Sequence, residues 1–122
     1  MEQQRINQLK TELSQFTGSE TFYRNPLFPG CVYTDGIKHL AEEAEAYWLL
    51  DHIFANQMLA VLKDQPFQVW KITVNEDQTA RISVEDGNDH ELTFFHLGYT
   101  DFPLDEMTVW MVDNTLLLPS EY

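Results

Sequence analysis

Histidine and carboxylate side chains are concentrated in one segment, which reads HLAEEAEAYWLLDHI from His39 to Ile53. His39 precedes Glu42 by three residues and Glu43 by four, and side chains at those spacings share one face of an α-helix. Helical metal centres are built from carboxylate and imidazole ligands at such spacings. The segment therefore allows two interpretations, a metal centre or the solvent-facing side of an ordinary helix.

The apolar residues of the same segment decide between these two interpretations. At roughly 100° per residue, they fall on a single face of the predicted helix: Ile37, Leu40, Ala41 and Ala44. His39, Glu42 and Glu43 project from the opposite face, where nothing makes them converge on one point or supports them with further hydrogen bonds. We therefore predict a solvated helix face, no metal site and no cofactor.

The helical region must contain a break, because its apolar stripe changes direction along the chain. Beyond Tyr47 the stripe moves by more than a third of a turn to a second set of residues: Leu50, Ile53, Phe54 and Val61. We predict one helix with Asp35 as its N-cap and Thr34 as the competing cap, and a second helix that ends near Leu62. The break is expected near Glu45 to Tyr47. Gln3 to Gln15 is predicted to form a short amphipathic helix.

From Phe67 onwards the apolar period changes from helical to two, which is typical of half-buried strands. The runs are FQVWKITV, TARISVE, ELTFFHL, TVWMV and TLLL. Thr21 to Arg24 is a further short strand candidate, and Asn25 to Gly30 is predicted to be a loop. The sequence thus predicts an α+β fold in one domain over residues 1–122. An antiparallel meander of about five strands would carry two or three helices, mainly on one face.

The motifs of several enzyme classes are absent from the 122 residues. The sequence contains no GxGxxG, GxxxxGK, HExxH or GxSxG pattern, and Cys31 is the single cysteine. The N-terminus is polar, and no apolar run approaches the roughly 20 residues of a membrane helix. We expect a cytoplasmic protein that is not bound to a membrane and that is more readily explained as a non-enzymatic protein.

Charge is the most informative property of the chain. The formal net charge is −13, and the 41 residues after Arg81 hold nine acids and no lysine or arginine. Such a surface repels nucleic acid and favours a protein partner with a basic surface. We predict a polyanion mimic that inhibits or regulates a basic nucleic-acid-binding protein; the alternative is that the acids only keep the protein soluble. The predicted contact residues are Asp86, Asp89, Glu91, Asp101, Asp105 and Glu106.

The aromatic residues support an alternative function, a small enzyme or ligand-binding protein with an aromatic-lined pocket. The predicted pocket residues are Trp48, Trp70, Tyr99 and Asp101. In the strand ELTFFHL, Phe95 and Leu97 alternate with Leu92 and Phe94, so both faces of the sheet would be apolar there. A second copy of the chain in a homodimer, or the N-terminal helix, would then cover the second face.

Five short strings resemble a known family. They are YTDG at 33–36, AYWLLD at 46–51, QVW at 68–70, TDFP at 100–103 and LPSEY at 118–122. Together they resemble a domain-of-unknown-function family of small bacterial proteins, some of which are encoded near mobile genetic elements. The resemblance covers most of the chain after about Phe16. It implies a single-domain intracellular protein and supplies no catalytic residue.

Overall fold

The computed structural model describes residues 2–18 and 21–122 of the chain. Within these residues, three α-helices precede most of the strands: α1 (Gln3–Ser14), α2 (Asp35–Glu43) and α3 (Tyr47–Ala55). A short 3₁₀ turn, Asn56–Met58, follows α3, and a second one, Pro119–Glu121, lies at the C-terminus. Among the described residues, no helix has the length and apolar character needed to cross a membrane.

The predicted break between two helices is confirmed. Glu45 has a positive φ of 52°, and the N–H of Ala46 donates to the carbonyl of Ala41 at 2.8 Å. This left-handed residue turns the chain at the end of α2, so that α3 starts in a new direction. Thr34, the competing candidate, is the N-cap of α2, and its hydroxyl accepts from the N–H of Ile37.

The predicted end of the second helix, near Leu62, is wrong, because α3 stops at Ala55. The side-chain amide of Asn56 donates to the carbonyl of His52 at 2.8 Å, and that of Gln57 donates to the carbonyl of Ile53 at 3.1 Å. Side-chain amides therefore donate to the carbonyls at the helix end, in place of the backbone N–H groups that a continuing helix would supply. Residues 59–64 form turns instead, and they bury Leu62.

In the described part of the chain, seven strands form one mixed sheet, so the prediction of about five antiparallel strands was incomplete. They are β1 (Phe22–Asn25), β2 (Phe28–Thr34), β3 (Phe67–Val74), β4 (Ala80–Glu85), β5 (Glu91–Leu97), β6 (Glu106–Val112) and β7 (Thr115–Leu117). Part of the predicted loop at Asn25 to Gly30 belongs to β2, which runs parallel to β7. The pairing of Arg24 with Val32 and of Asn25 with Phe28 leaves Pro29, Gly30 and Cys31 as a bulge, and for this reason β2 lacks a regular strand pattern.

The strand order is β1-β2-β7-β6-β3-β4-β5, which differs from a simple meander. β6 pairs with β3 rather than with its sequence neighbour β5. The connection between β5 and β6, residues 98–105, therefore crosses the end of the sheet past β4 and β3. Two backbone bonds hold it there, from Thr100 N–H to the carbonyl of Gln78 at 2.8 Å and from Val74 N–H to the carbonyl of Asp105 at 2.7 Å.

The helices pack on one face of the sheet, as predicted. That face presents Trp70, Ile82, Val109 and Leu116, all at most 3% exposed, to the buried side of α2 and α3. Phe95 also faces this side, because it pairs with Ile82 and its ring stacks on Trp70 at 6.1 Å between centroids. α1 packs against α2, burying Leu9 and Leu13.

The second face of the sheet is partly apolar, and the chain itself covers part of it. The ring of Tyr122 packs edge-on against Trp110 at 5.4 Å and against Phe67 at 6.1 Å. The guanidinium of Arg81 lies 4.4 Å above the ring of Phe94, which remains 55% exposed. These contacts are made by Tyr122 after the C-terminal turn and by the side chain of Arg81, rather than by the N-terminal helix. The homodimer stays a prediction.

Candidate functional site

The crossing connection gathers acidic side chains at one end of the sheet. Asp101, Asp105 and Glu106 lie in or directly after it, and the β3–β4 turn beneath it adds Glu76 and Asp77. Glu76 and Asp105 line the same shallow depression. We call these five residues the acidic end. None of them forms a salt bridge with any residue that the structure describes.

The other predicted contact residues lie at the opposite end of the sheet. Asp86, Asp89 and Glu91 belong to the β4–β5 hairpin, so the six predicted residues form two groups of three and not one surface. Asp89 has a positive φ of 65°, which is a turn conformation that aspartate tolerates.

Cations neutralise much of the charge at the hairpin end. Lys71 pairs with Glu85 at 3.0 Å, and Arg81 pairs with Glu91 at 2.7 Å. The carboxylate of Asp86 accepts the backbone N–H of Asn88 at 2.8 Å, and that bond is the main reason that its pKa is lowered. The uncompensated field of the sheet is therefore concentrated at the acidic end.

An aromatic recess adjoins the acidic end. Trp48, Tyr99 and Asp101, three of the four predicted pocket residues, line a cavity of about 270 Å³ together with Leu97 and Thr100. The ring of Tyr99 is 72% exposed, so it projects from the surface. Trp48 is half-buried and packs edge-on against Phe102 at 6.3 Å, which fixes the floor of the recess. We call this cavity the aromatic recess.

Trp70, the fourth predicted pocket residue, does not line the aromatic recess. It is 2% exposed, and its indole N–H donates to the side-chain carbonyl of Gln68 at 2.9 Å. Gln68 also exchanges two amide hydrogen bonds of 2.9 Å with Gln57. The alternating strand pattern places Trp70 in the core, so its role is to hold a buried polar network and not to contact a ligand.

His39 and Glu42 of α2 contact neighbouring side chains, while Glu43 is exposed. His39 Nε2 lies 3.3 Å from the carboxylate of Glu12 on α1. Glu42 accepts from Lys38 at 2.6 Å and from the hydroxyl of Tyr47 at 3.4 Å, and the bond from Lys38 is the main reason that its pKa is lowered. The described residues hold no cluster of three or more His, Cys, Asp or Glu arranged for a metal ion.

His52 is half-buried and packs against two aromatic rings. Its ring packs edge-on against Phe95 at 4.6 Å and against Trp70 at 6.0 Å. Burial lowers its pKa, which favours the neutral imidazole. Its Nε2 is buried without a hydrogen-bond partner among the described residues, while Nδ1 lies 3.3 Å from the amide of Asn56.

The strings YTDG and LPSEY meet in space. The carboxylate of Glu121 accepts from the hydroxyl of Thr34 at 2.6 Å, from Leu118 N–H at 3.0 Å and from Gly36 N–H at 3.3 Å. A Cβ on Gly36 would lie 2.6 Å from Glu121 Oε1, so this approach requires glycine. The last residues of the chain thus bind the start of α2, where a carboxylate also complements the helix dipole.

The other strings also have structural roles. In AYWLLD, Asp51 accepts from the side-chain amide of Asn25 at 2.8 Å and so ties α3 to the β1–β2 turn. In TDFP, the hydroxyl of Thr100 accepts from the N–H of Phe102 at 3.2 Å, and Phe102 is 3% exposed. Residues of these strings thus stabilise the fold, and two of the strings also supply Trp48, Thr100 and Asp101 to the aromatic recess. Four of the five residues of the acidic end lie outside the strings.

Two residues of the acidic end, Glu76 and Asp77, were not among the predicted contacts, because they precede Arg81 in the sequence. Their turn, NEDQ at 75–78, separates the predicted strands FQVWKITV and TARISVE. The hydroxyl of Thr79 donates to Asp77 at 2.6 Å, which is the main reason that the pKa of Asp77 is lowered. No sequence signal places this turn beside residues 98–105, because their proximity depends on the pairing of β6 with β3.

Comparison with known proteins identifies the family of the chain. A family model described as a family of unknown function, DUF6876, matches residues 7–122. No curated protein and no solved structure matches the chain. The chain therefore belongs to the DUF6876 family, which confirms the resemblance to a domain-of-unknown-function family.

Proposed function

We propose that this DUF6876 member is a non-enzymatic interaction protein, whose acidic end and aromatic recess together bind a basic surface on a partner protein. The supporting observation is that five carboxylates lie at one end of the sheet without an ion pair among the described residues, next to an exposed Tyr99. Acidic residues alone would serve solubility. Acids around an exposed aromatic ring combine electrostatic steering with an apolar anchor.

The size and lining of the aromatic recess favour one basic side chain as its occupant. Its volume of about 270 Å³ is below the roughly 300–1,000 Å³ of ordinary ligand pockets. Trp48 and Tyr99 offer ring faces that attract a guanidinium or ammonium group, and Asp101 offers a carboxylate beside them. An arginine or lysine of the partner would lose its hydration shell there and gain both interactions.

The specific form of the proposal is a polyanion mimic that regulates a nucleic-acid-binding protein. Grooves for single-stranded nucleic acid combine basic residues with aromatic side chains. The acidic end presents the complementary chemistry, carboxylates in place of phosphates and Tyr99 in place of a base. We propose that it acts in the cytoplasm, occupying the groove of its partner and excluding nucleic acid from it.

The experiment starts with capture of the partner from a nuclease-treated lysate of the source cells, followed by surface plasmon resonance at several salt concentrations. The test variant combines Asp101→Asn, Asp105→Asn and Glu106→Gln. The matched control removes the same charge at the hairpin end through Asp86→Asn, Asp89→Asn and Glu91→Gln. At low salt, we expect association to slow about tenfold in the test variant and less than about twofold in the control.

A second measurement separates the contribution of the Tyr99 ring from that of the carboxylates. Tyr99→Ala should speed dissociation and leave the salt dependence of association unchanged, because the ring acts only after docking. Equal slowing by the test and control triple variants would mean that only net charge matters. An association rate that changes neither with salt nor in either triple variant would contradict the proposal. The acids would then serve solubility.

A further inference from the structure

A sizeable cavity lies away from the acidic end, where the β1–β2 turn faces the segment after α3. Its volume is about 550 Å³, within the usual range for small-molecule pockets. Its floor is formed by Cys31, Phe54 and Met111, each at most 8% exposed. The function proposed above does not involve this cavity.

Three departures from regular structure create the cavity. Pro29, Gly30 and Cys31 bulge out of β2 and form one wall. α3 ends at Ala55, and residues 63–66 of the irregular segment that follows form the second wall. Asp113 and Asn114, with positive φ of 47° and 67°, form the tight β6–β7 turn at its base. The described backbone thus leaves a gap at a place where continuous strand and helix would have closed it.

The rim of the cavity exposes large apolar side chains. Leu27 is 74% exposed and Met58 is 81% exposed, and both line the opening. Cys31, Met58 and Met111 place three sulfur atoms around the same space, next to Phe28 and Phe54. Such polarisable surroundings suit an apolar or aromatic body, since sulfur packs favourably against aromatic rings. Exposed apolar side chains around a concave surface are typical of binding sites.

The charged residues of the lining indicate which charge the polar group of a ligand would carry. Lys63 is adjacent to Asp64 in the chain, so their charges offset one another locally. Asp113 adds a second carboxylate whose side chain has no hydrogen-bond or ion-pair partner among the described residues, while its backbone N–H is fixed by the carbonyl of Pro66 at 2.9 Å. With a net charge of −13 on the chain, the field also repels organic anions.

We propose that this cavity binds a small organic cation, an amine with an aromatic or aliphatic body. The apolar body lies over Phe54 and Met111, and the ammonium group faces Asp113. Cys31 contributes packing and no nucleophile, because burial raises the pKa of its thiol and keeps it protonated. The site is separate from the aromatic recess, so the two can be tested independently.

The test compares three probes of similar size: 2-phenylethylamine, 2-phenylethanol and 3-phenylpropionate. Each is titrated into ¹⁵N-labelled protein, and amide shifts report both the affinity and the location. We expect the amine to bind at least fivefold more tightly than the alcohol, and the carboxylate to bind most weakly. The shifted amides should include those of Cys31, Met58 and Asn114. Asp113→Asn should reduce the preference for the amine over the alcohol to below about twofold.

A blocking variant and a matched control complete the experiment. Gly30 lines the cavity and Gly18 lies elsewhere on the surface, and a Cβ on either would meet no atom within 4 Å. Gly30→Phe should weaken amine binding at least tenfold, and Gly18→Phe should leave it within twofold. Amine binding that survives Gly30→Phe but is lost with Asp101→Asn would assign the ligand to the aromatic recess and overturn the proposal. Equal affinity for amine and alcohol, or no saturable binding, would also overturn it.

Discussion

Removal of the Glu121 carboxylate should destabilise the whole domain, although the residue is next to last in the chain. The carboxylate accepts three hydrogen bonds, from Thr34, Leu118 and Gly36, and the last two residues are buried. In Glu121→Ala, the N–H groups of Gly36 and Leu118 lose their acceptor. A buried donor without a partner costs about 1–3 kcal/mol, and loss of a charge at a helix N-terminus costs about 0.3–1 kcal/mol.

The low end of these ranges applies, because Glu121 is half-exposed and water can reach part of the gap. We expect Glu121→Ala to lower the free energy of unfolding by about 2–4 kcal/mol. For a domain of this size, that corresponds to a fall in Tm of roughly 8–15 °C. Glu121→Gln keeps one acceptor oxygen and should lose about half as much.

Urea unfolding followed by tryptophan fluorescence, together with calorimetry, measures these losses. Ser120→Ala is the matched control, because Ser120 is exposed and adjacent. Gly36→Ala should also destabilise the protein, since the new Cβ would lie 2.6 Å from Glu121 Oε1. In the Glu121→Ala background the same change should cost less, which a double-mutant cycle detects. A loss below about 0.5 kcal/mol for Glu121→Ala would refute the view that the C-terminal residues hold α2.

Three further predictions concern the core, pH and metal ions. Gln68→Leu should lower the free energy of unfolding by about 2–4 kcal/mol in urea titrations, because the indole N–H of Trp70 loses its acceptor. An unchanged free energy of unfolding would show that water replaces that acceptor. Burial lowers the pKa of His52, so the unfolded chain binds its proton more readily: the stability from this residue is complete above about pH 6.5 and declines as pH falls below it. His52→Gln should therefore weaken the loss of stability between pH 7.5 and 5.5, and an unchanged loss would contradict this expectation. Isothermal titration with Zn²⁺ and Mn²⁺ should show no sub-micromolar site on α2, and a stoichiometric site abolished by His39→Ala would contradict this expectation.

Much of the local structure could be predicted because it depends on short-range periodicity. The alternation in TARISVE and FQVWKITV is sufficient to identify β4 and β3, since one face of each strand is buried. The shift of the apolar stripe predicts a break near Glu45 to Tyr47 for the same reason, and the structure places it at Glu45. The end of α3 could not be predicted in this way, because it depends on which carbonyls the side chains of Asn56 and Gln57 bind.

The sequence by itself determined the net charge of the chain and the absence of lysine and arginine after Arg81, since composition is independent of the fold. Only the tertiary structure decided where that charge lies. Pairing of β6 with β3 carries residues 98–105 across the sheet and places Asp105 beside Glu76, while Arg81 is directed to Glu91 at the other end. Non-local strand pairing leaves no periodic signal in the chain, because each pair joins segments that are distant in sequence. The acidic end, the aromatic recess and the cavity at Cys31 all arise from such long-range contacts.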